Sequence, residues 1–131
     1  MNERIELHDS ELAAVSVSGS EAVVSFSSAY IHRTAGIPGV DSGSGWLQPA
    51  TLTLTDALSV SNPVVLPATV SEGFLRVGSD LHSNIIPASG AFDGAIELSI
   101  VLTTAEVLTI RGRRISIQLH GTPSFVESFN Q

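Results

Sequence analysis

The chain has 131 residues, of which 43% are hydrophobic and 15% charged, and its formal net charge is −7. This length and composition predict one folded domain over residues 1–131 and exclude a disordered tail. The chain has no cysteine, which excludes disulfides, thiolate zinc sites and cysteine nucleophiles. The acidic balance disfavours nucleic acid and favours a basic partner.

No segment of the sequence predicts a membrane span. The longest uncharged stretch, residues 57–71, is interrupted by Asn62, Pro63 and Pro67, and it is shorter than the roughly 20 apolar residues that a membrane helix needs. The opening "MNERIELHD" lacks the apolar core of a secretory signal. We therefore expect a cytoplasmic protein.

The opening "LHDSEL" sets His8, Asp9 and Ser10 side by side, which are the three residue types of a hydrolytic triad. Neighbours in an extended chain point to opposite faces, so consecutive residues rarely converge as a triad requires. We interpret Asp9 or Ser10 as a cap that accepts a backbone N–H in a short turn leading into the first strand. His8 and Asp9 stay candidates for a binding surface.

Alternation of apolar and polar residues then recurs along the chain. "LAAVSVSGS", "TLTLT" and "AIELSIVLTT" all alternate with a period of two, which is typical of half-buried strands. "HDSELAA" and "PSFVESF" are the only candidates for short helical turns. Turns are predicted at Gly19-Ser20, Asn62-Pro63, Gly73, Ser89-Gly90 and Asp93-Gly94.

These patterns predict eight to ten short antiparallel strands in one all-β domain, either a sandwich or a partly closed barrel with at most one or two helical turns. Pro49, Pro63, Pro67 and Pro87 are expected at strand ends, edges or bulges, because proline cannot donate to a central ladder.

The second strand, "VVSFSSAYIHRT", leads into a glycine-rich stretch from Gly36 to Gly45 that Trp46 closes. Without a bulge, His32 shares the core face of Phe26 and is a hydrogen-bonded core histidine. The glycine-rich stretch matches no phosphate-binding pattern, and a loop of this length is often functional. Trp46 either anchors the loop on the core or provides an aromatic contact at a binding surface.

"EVLTIRGRRISIQLHG" predicts a final hairpin with its turn at residues 111–114. This turn would carry Arg111, Arg113 and Arg114 at its tip. Arginines there are either solvated, discouraging edge-to-edge association, or they dock onto an acidic patch of a second copy. All three are candidate binding residues.

The four histidines are His8, His32, His82 and His120, and none lies in a metal-binding spacing with another. The alternation of side chains along each strand places His32 on the core side and His120 on the solvent side, so these two cannot bind the same ion. We therefore predict neither a metal site nor a cofactor. His82 stays a candidate binding residue because Asp80 is close to it.

The opening "LHDSEL" and the ending "LTIRGRRISIQLHGTPSFVESF" together resemble a group of small bacterial β-rich proteins of unknown function. In these proteins an H-D-S/A opening and an F-V-E-x-F ending bracket the domain, and some are similar to immunity proteins of toxin systems. The resemblance implies that His8, Asp9, Phe125, Glu127 and Phe129 belong to a shared structural frame. It implies no catalytic residue.

These features lead to two hypotheses about function. The first is a non-enzymatic binding domain that neutralises a basic protein partner. The alternative is a small-molecule or metal-dependent enzyme in a barrel mouth near the 34–46 loop, using His8 or His82. We also expect a homodimer, through a C-terminal strand or the face around Trp46, because residues 95–104 would form a poorly guarded edge.

Overall fold

A computed structural model describes residues 1–60 and 64–129 and shows an all-β chain with no helix in these ranges. The strands are β1 (Asn2–Ser18), β2 (Glu21–Thr34), β3 (Gly43–Thr55), β4 (Ser59–Val60), β5 (Ala68–Val77), β6 (Asp80–Ser83), β7 (Ile85–Pro87), β8 (Gly90–Leu102), β9 (Val107–Leu119) and β10 (Ser124–Phe129).

Six strands close into an antiparallel barrel in the order β3, β2, β1, β5, β8 and β9. The ring closes where the second half of β3 pairs with the end of β9. In this ladder Ala50 lies opposite Leu119, and Thr55 lies opposite Arg114. The predicted all-β class is therefore confirmed, and the barrel is the architecture that forms. The four short strands attach outside this ring: β10 to β3, β4 to β9, β6 to β5 and β7 to β1.

The alternating segments supply the barrel interior, as their period predicts. Leu52 and Leu54 of β3 are fully buried, and so are Leu98 and Ile100 of β8. Successive side chains of a strand point to opposite faces, so every second residue of each long strand faces the interior. The interior is a packed core of aliphatic side chains.

Residues 95–104 would be a poorly guarded edge only if they lay outermost, and they are covered within the chain. This segment belongs to β8, which pairs with β5 on one side and with β9 on the other. Barrel closure removes the edge, because both rows of its backbone N–H and C=O groups have partners.

The predicted final hairpin is also wrong, because β9 runs without interruption through residues 111–114. Arg114 pairs with Thr55 of β3 and with Asp93 of β8, so this stretch has ladder partners on both sides. The turn lies earlier, between β8 and β9, where the Leu102 N–H donates to the Glu106 carbonyl at 2.8 Å. Two long neighbouring strands give this stretch more ladder bonds than a hairpin would.

Both predicted helical turns are strands. "HDSELAA" lies within β1 and "PSFVESF" forms most of β10. Backbone pairing with a neighbouring strand outweighs the weak local preference of a single helical turn.

Of the predicted turns, Gly19-Ser20 and Ser89-Gly90 separate strands as expected. Gly73 and Asp93-Gly94 do not, because Gly73 lies inside β5 and Gly94 at a bulge of β8. Gly73 permits a close approach: a Cβ there would lie 2.9 Å from Leu7 Cδ1. Asn62-Pro63 lies outside the described residues.

The described prolines lie where their missing N–H is tolerated. Pro67 precedes β5, and Pro87 ends β7. Pro49 lies in β3 beside the register shift between Phe26 and Ala29 of β2. These positions confirm the sequence-based placement for three of the four prolines, and Pro63 lies outside the described residues.

Two bulges in neighbouring strands shape the surface outside the barrel. Glu6 pairs with Tyr30 and Glu11 with Ser28, so residues 7–10 of β1 lie opposite Ala29 alone. At the same level, β2 has a register shift of its own. Beyond Phe26 this shift exchanges the residues of β2 that face the interior with those that face outward. Bulges of this kind re-aim side chains without ending a strand.

Candidate functional site

His8 and Asp9 protrude from the bulge of β1, and both side chains are exposed. Asp9 has a φ of 70° and Asn84 has a φ of 64°. Both values lie in the left-handed region of backbone conformation, which aspartate and asparagine tolerate better than other residues with side chains. The Asn84 side-chain oxygen accepts the His8 N–H at 2.8 Å. The predicted turn leading into the first strand is wrong, because β1 has already run from Asn2 when it reaches this bulge, but the predicted acceptance of a backbone N–H is confirmed for Ser10, which accepts that of Tyr30.

Both ring nitrogens of His8 have partners. Nδ1 lies 2.7 Å from the Ser71 carbonyl oxygen, which only accepts, so Nδ1 carries a hydrogen. Nε2 lies 3.3 Å from Asp9 Oδ1. The ring of His8 is therefore held between the backbone of β5 and the neighbouring Asp9 side chain.

Ser10 does not join His8 and Asp9. It is fully buried, its hydroxyl donates to the Glu6 carbonyl at 2.6 Å, and its Oγ accepts the Tyr30 N–H at 2.9 Å. The three consecutive residues therefore do not form a triad. A cleft of about 480 Å³ beside His8 contains no histidine other than His8. Its remaining lining residues are Ser71, Glu72, Gly73, Phe74, Ser83, Asn84, Ser99 and Val101.

His32 lies outside the barrel, so the prediction of a core histidine is wrong. The bulge in β2 turns Ala29 and Ile31 into the core and leaves His32 on the outer face. There its ring stacks on Phe129 at 5.0 Å, and its Nε2 lies 3.4 Å from Glu6 Oε1. That separation is an ion-pair distance, but Nε2 has no hydrogen-bond partner among the described residues.

Tyr30 lies beside His32 on this outer face, with the two rings 5.3 Å apart. Burial raises the pKa of its phenol above the ordinary value, and so do the hydrogen bond to Glu127 and the negative charges of Glu127, Glu6 and Asp9. The negative charges of three carboxylates from β1 and β10 therefore act on one phenol. We call Glu6, Asp9, Tyr30, His32 and Glu127 the acidic face.

Gly45 makes room for this arrangement. A Cβ at Gly45 would overlap the hydroxyl group of Tyr30, so the phenol lies across the bare backbone of β3. Gly43 and Gly45 belong to β3, and the loop itself spans only residues 35–42. Part of the glycine-rich stretch therefore serves aromatic packing across strands.

Trp46 lies on β3 at one end of the barrel. Phe125 of β10 contacts it edge-on with the ring centres 5.3 Å apart, and the Arg33 guanidinium lies 4.8 Å from its ring centre. Trp46 is partly buried against the core, and its Nε1 donates to Ser44 Oγ at 2.8 Å. These contacts match the anchoring alternative. They include neither His8 nor a residue of the acidic face.

The three clustered arginines lie along β9 and not on a hairpin tip. Arg111 pairs with Glu97 at 2.8 Å, and Arg114 binds Asp93 through two bonds of 2.9 and 3.0 Å. Arg113 is exposed and has no ion pair with the part of the chain that the structure describes. Two of the three are thus occupied with carboxylates of β8.

The remaining histidines stay apart. His82 lies on β6 opposite Leu75, and His120 is exposed as predicted, with Nε2 2.7 Å from Thr51 Oγ1. Within residues 1–60 and 64–129, no three His, Asp or Glu side chains come together where they could hold a metal ion.

A second cleft lies at the barrel mouth beside the 35–42 loop and measures about 850 Å³. The alternative hypothesis placed a site there, with His8 or His82. Neither histidine lines this cleft. Its lining residues are Met1, Asn2, Glu3, Arg4, Gly36, Ile37, Pro38, Ala88, Ser89, Ile117, Gln118 and Leu119.

No protein-family model, curated protein or solved structure matches this chain. In the described ranges, no helix has the length and apolar character needed to cross a membrane. The fold and the geometry of its surfaces therefore carry the functional argument.

Sequence reasoning found His8 and Asp9 but missed Glu6, Tyr30 and Glu127 as members of one surface. The available signal was Gly45. A glycine inside a strand leaves its backbone bare and often marks a close approach by a neighbouring group, here the Tyr30 ring.

Proposed function

We propose that this chain is a non-catalytic interaction domain that binds a basic protein partner on its acidic face. The observation that carries the proposal is the grouping of acidic residues from β1 and β10: Glu6 lies 3.4 Å from His32, Glu127 lies opposite Gly45, and the charges of both act on the Tyr30 phenol together with that of Asp9. A Lys or Arg side chain of a partner would neutralise these charges and contact the aromatic rings beside them.

The distribution of arginines supports this choice of face. Arg76 and Arg111 contact Glu97, and Arg114 contacts Asp93, so the positive charge is concentrated around β8. Among the described residues, the carboxylates of Asp9 and Glu6 make their ion-pair contacts with His8 and His32, and the nearest arginine in the β1–β2 ladder is Arg4, opposite His32. A protein with a net charge of −7 and such a face attracts a basic partner from a distance.

The engaged ring of His8 favours binding over catalysis. The Nδ1 atom of His8 lies at the Ser71 carbonyl, and Ser10, the neighbouring hydroxyl, is buried and bonded to the backbone, so no nucleophile lies beside the ring in this sequence segment. His8 and Asp9 are better suited to form the rim of an interface. Neutralisation of a basic toxin, which the sequence resemblance implies, is one role that such a domain can perform.

The test is affinity capture from the source organism with a variant that neutralises the face. Glu6→Gln/Glu127→Gln removes two charges and keeps the side-chain shapes, so partner affinity should fall roughly tenfold or more. Glu21→Gln/Asp56→Asn is the matched control, since it removes two exposed charges elsewhere. Wild type and control should retain the same basic protein, and high salt should release it.

Two results would contradict the proposal. One is equal capture of that protein by the face variant and the control. The other is turnover in a broad screen of hydrolase substrates without capture of any basic protein.

A further inference from the structure

The cleft at the barrel mouth has features of a small-molecule site that are independent of the acidic face. Its volume of about 850 Å³ lies within the roughly 300–1,000 Å³ typical of such sites. It forms where the start of β1 and the 35–42 loop stand opposite the end of β9. The acidic face contributes no residue to it.

One side of this cleft is apolar. Ile117 forms a buried part of the wall, whereas Ile37 is 62% exposed and Met1 is 86% exposed at the rim. The outer side of the Ile37 side chain is open to solvent. The backbone N–H of Ile37 donates to Oδ2 of Asp41 at 2.6 Å, which fixes the backbone at this position. Large apolar side chains around a concavity gain free energy when a ligand covers them.

The other side of the cleft carries Arg4. Four of the six arginines contact a carboxylate, namely Arg33, Arg76, Arg111 and Arg114. Within the described part of the chain, the guanidinium of Arg4 has no ion pair or hydrogen bond. Glu3 also lines the cleft, but its carboxylate lies 3.5 Å from Arg33 Nε.

We propose that this cleft binds an amphipathic carboxylate, with its apolar chain on Ile37 and Ile117 and its carboxylate on Arg4. A guanidinium without a protein partner presents a planar fork of donors that matches a carboxylate. In an acidic protein, this cation at the edge of the cleft selects ligands with a negative charge.

Decanoate is the probe, measured by calorimetry below its micelle-forming concentration, with decanol as the uncharged ligand of equal chain length. Wild type should bind decanoate saturably and roughly tenfold or more tightly than decanol. Arg4→Gln should weaken decanoate binding by a similar factor and leave decanol binding unchanged. Backbone NMR shifts of Ile117 and Leu119 should move on binding and locate the ligand.

Two variants complete the design. Arg113→Gln changes the net charge equally at an exposed arginine outside the cleft, so decanoate binding should stay as in wild type. Ile37→Ser alters an exposed loop side chain and should weaken both ligands several-fold. Thermal unfolding of every variant checks that the barrel is intact.

The proposal is overturned if decanoate shows no saturable binding at millimolar concentration. It is equally overturned if Arg4→Gln and Arg113→Gln weaken decanoate to the same extent, since the effect would then come from net charge alone. Ile37 lies in the 35–42 loop and not on the strands of the acidic face, so the Ile37→Ser result does not bear on the proposed protein partner. Arg4 lies opposite His32 in the β1–β2 ladder, so capture of the basic partner by Arg4→Gln is measured separately.

Discussion

At the scale of single residues, Tyr30 shows most clearly how the surface chemistry arises. Its position depends on the absence of a Cβ at Gly45 and on the parity change in β2. Its phenol donates to Glu127, and burial together with three carboxylates raises its pKa. All of these effects favour the neutral phenol.

Direct titration of Tyr30 tests this environment. The chain has one tyrosine and no lysine, so ultraviolet absorbance of tyrosinate reports Tyr30 alone. The ordinary pKa is 10.0, and the folded protein should show little tyrosinate at that pH, whereas the unfolded chain should be half ionised. Since the folded pKa is raised, the stability that Tyr30 contributes is complete below pH 10.0 and declines as pH rises above it.

The Glu127→Gln variant is the internal control for this titration. Its amide still offers an oxygen to the phenol but removes one negative charge, so the pKa of Tyr30 should move back towards the ordinary value. A folded wild type whose Tyr30 titrates like the unfolded chain would show that the carboxylates do not act on it.

At the scale of elements, the bulges decide which side chains form the surface. Residues 7–10 of β1 would leave backbone groups unpaired, since only Ala29 lies opposite them. Ser10 replaces the missing ladder bonds: it donates to the Glu6 carbonyl and accepts the Tyr30 N–H. One buried hydroxyl therefore holds both strands at the bulge.

Ser10→Ala should destabilise the protein by about 1–3 kcal/mol, because it leaves one buried carbonyl and one buried N–H unsatisfied. Chemical denaturation measures the change in the free energy of unfolding. Ser18→Ala, at an exposed position near the end of β1, should stay within about 0.5 kcal/mol of wild type. Equal stabilities of the two variants would mean that water replaces both bonds of Ser10.

At the scale of the whole molecule, closure removes the strand edges of the six-stranded ring and leaves the attached strands as edges. In the described residues, β10 pairs with β3 on one side and has no partner strand on the other. Phe125 and Val126 of this strand are 57% and 42% exposed. An open edge with apolar side chains favours pairing with another strand.

We therefore keep the homodimer as a prediction and assign it to the free edge of β10. Light scattering at several concentrations should show a dimer that Val126→Lys converts to a monomer of 13.7 kDa. Val17→Lys, an exposed position on β1, is the matched control and should stay dimeric. A wild-type monomer persisting at high micromolar concentration would refute this prediction.

The sequence by itself determined the all-β class and most of the interior. Apolar residues at alternate positions, such as Leu52 and Leu54, point to one face whatever the neighbouring strand is. Gly19-Ser20 likewise marks a turn locally. Tertiary structure alone decided barrel closure, the straight course of β9 and the outward position of His32. Each depends on pairing between strands that are distant in the sequence. A bulge changes which side chains face the interior only in relation to the strand it pairs with, and a ladder bond needs a neighbouring strand that local sequence patterns do not specify.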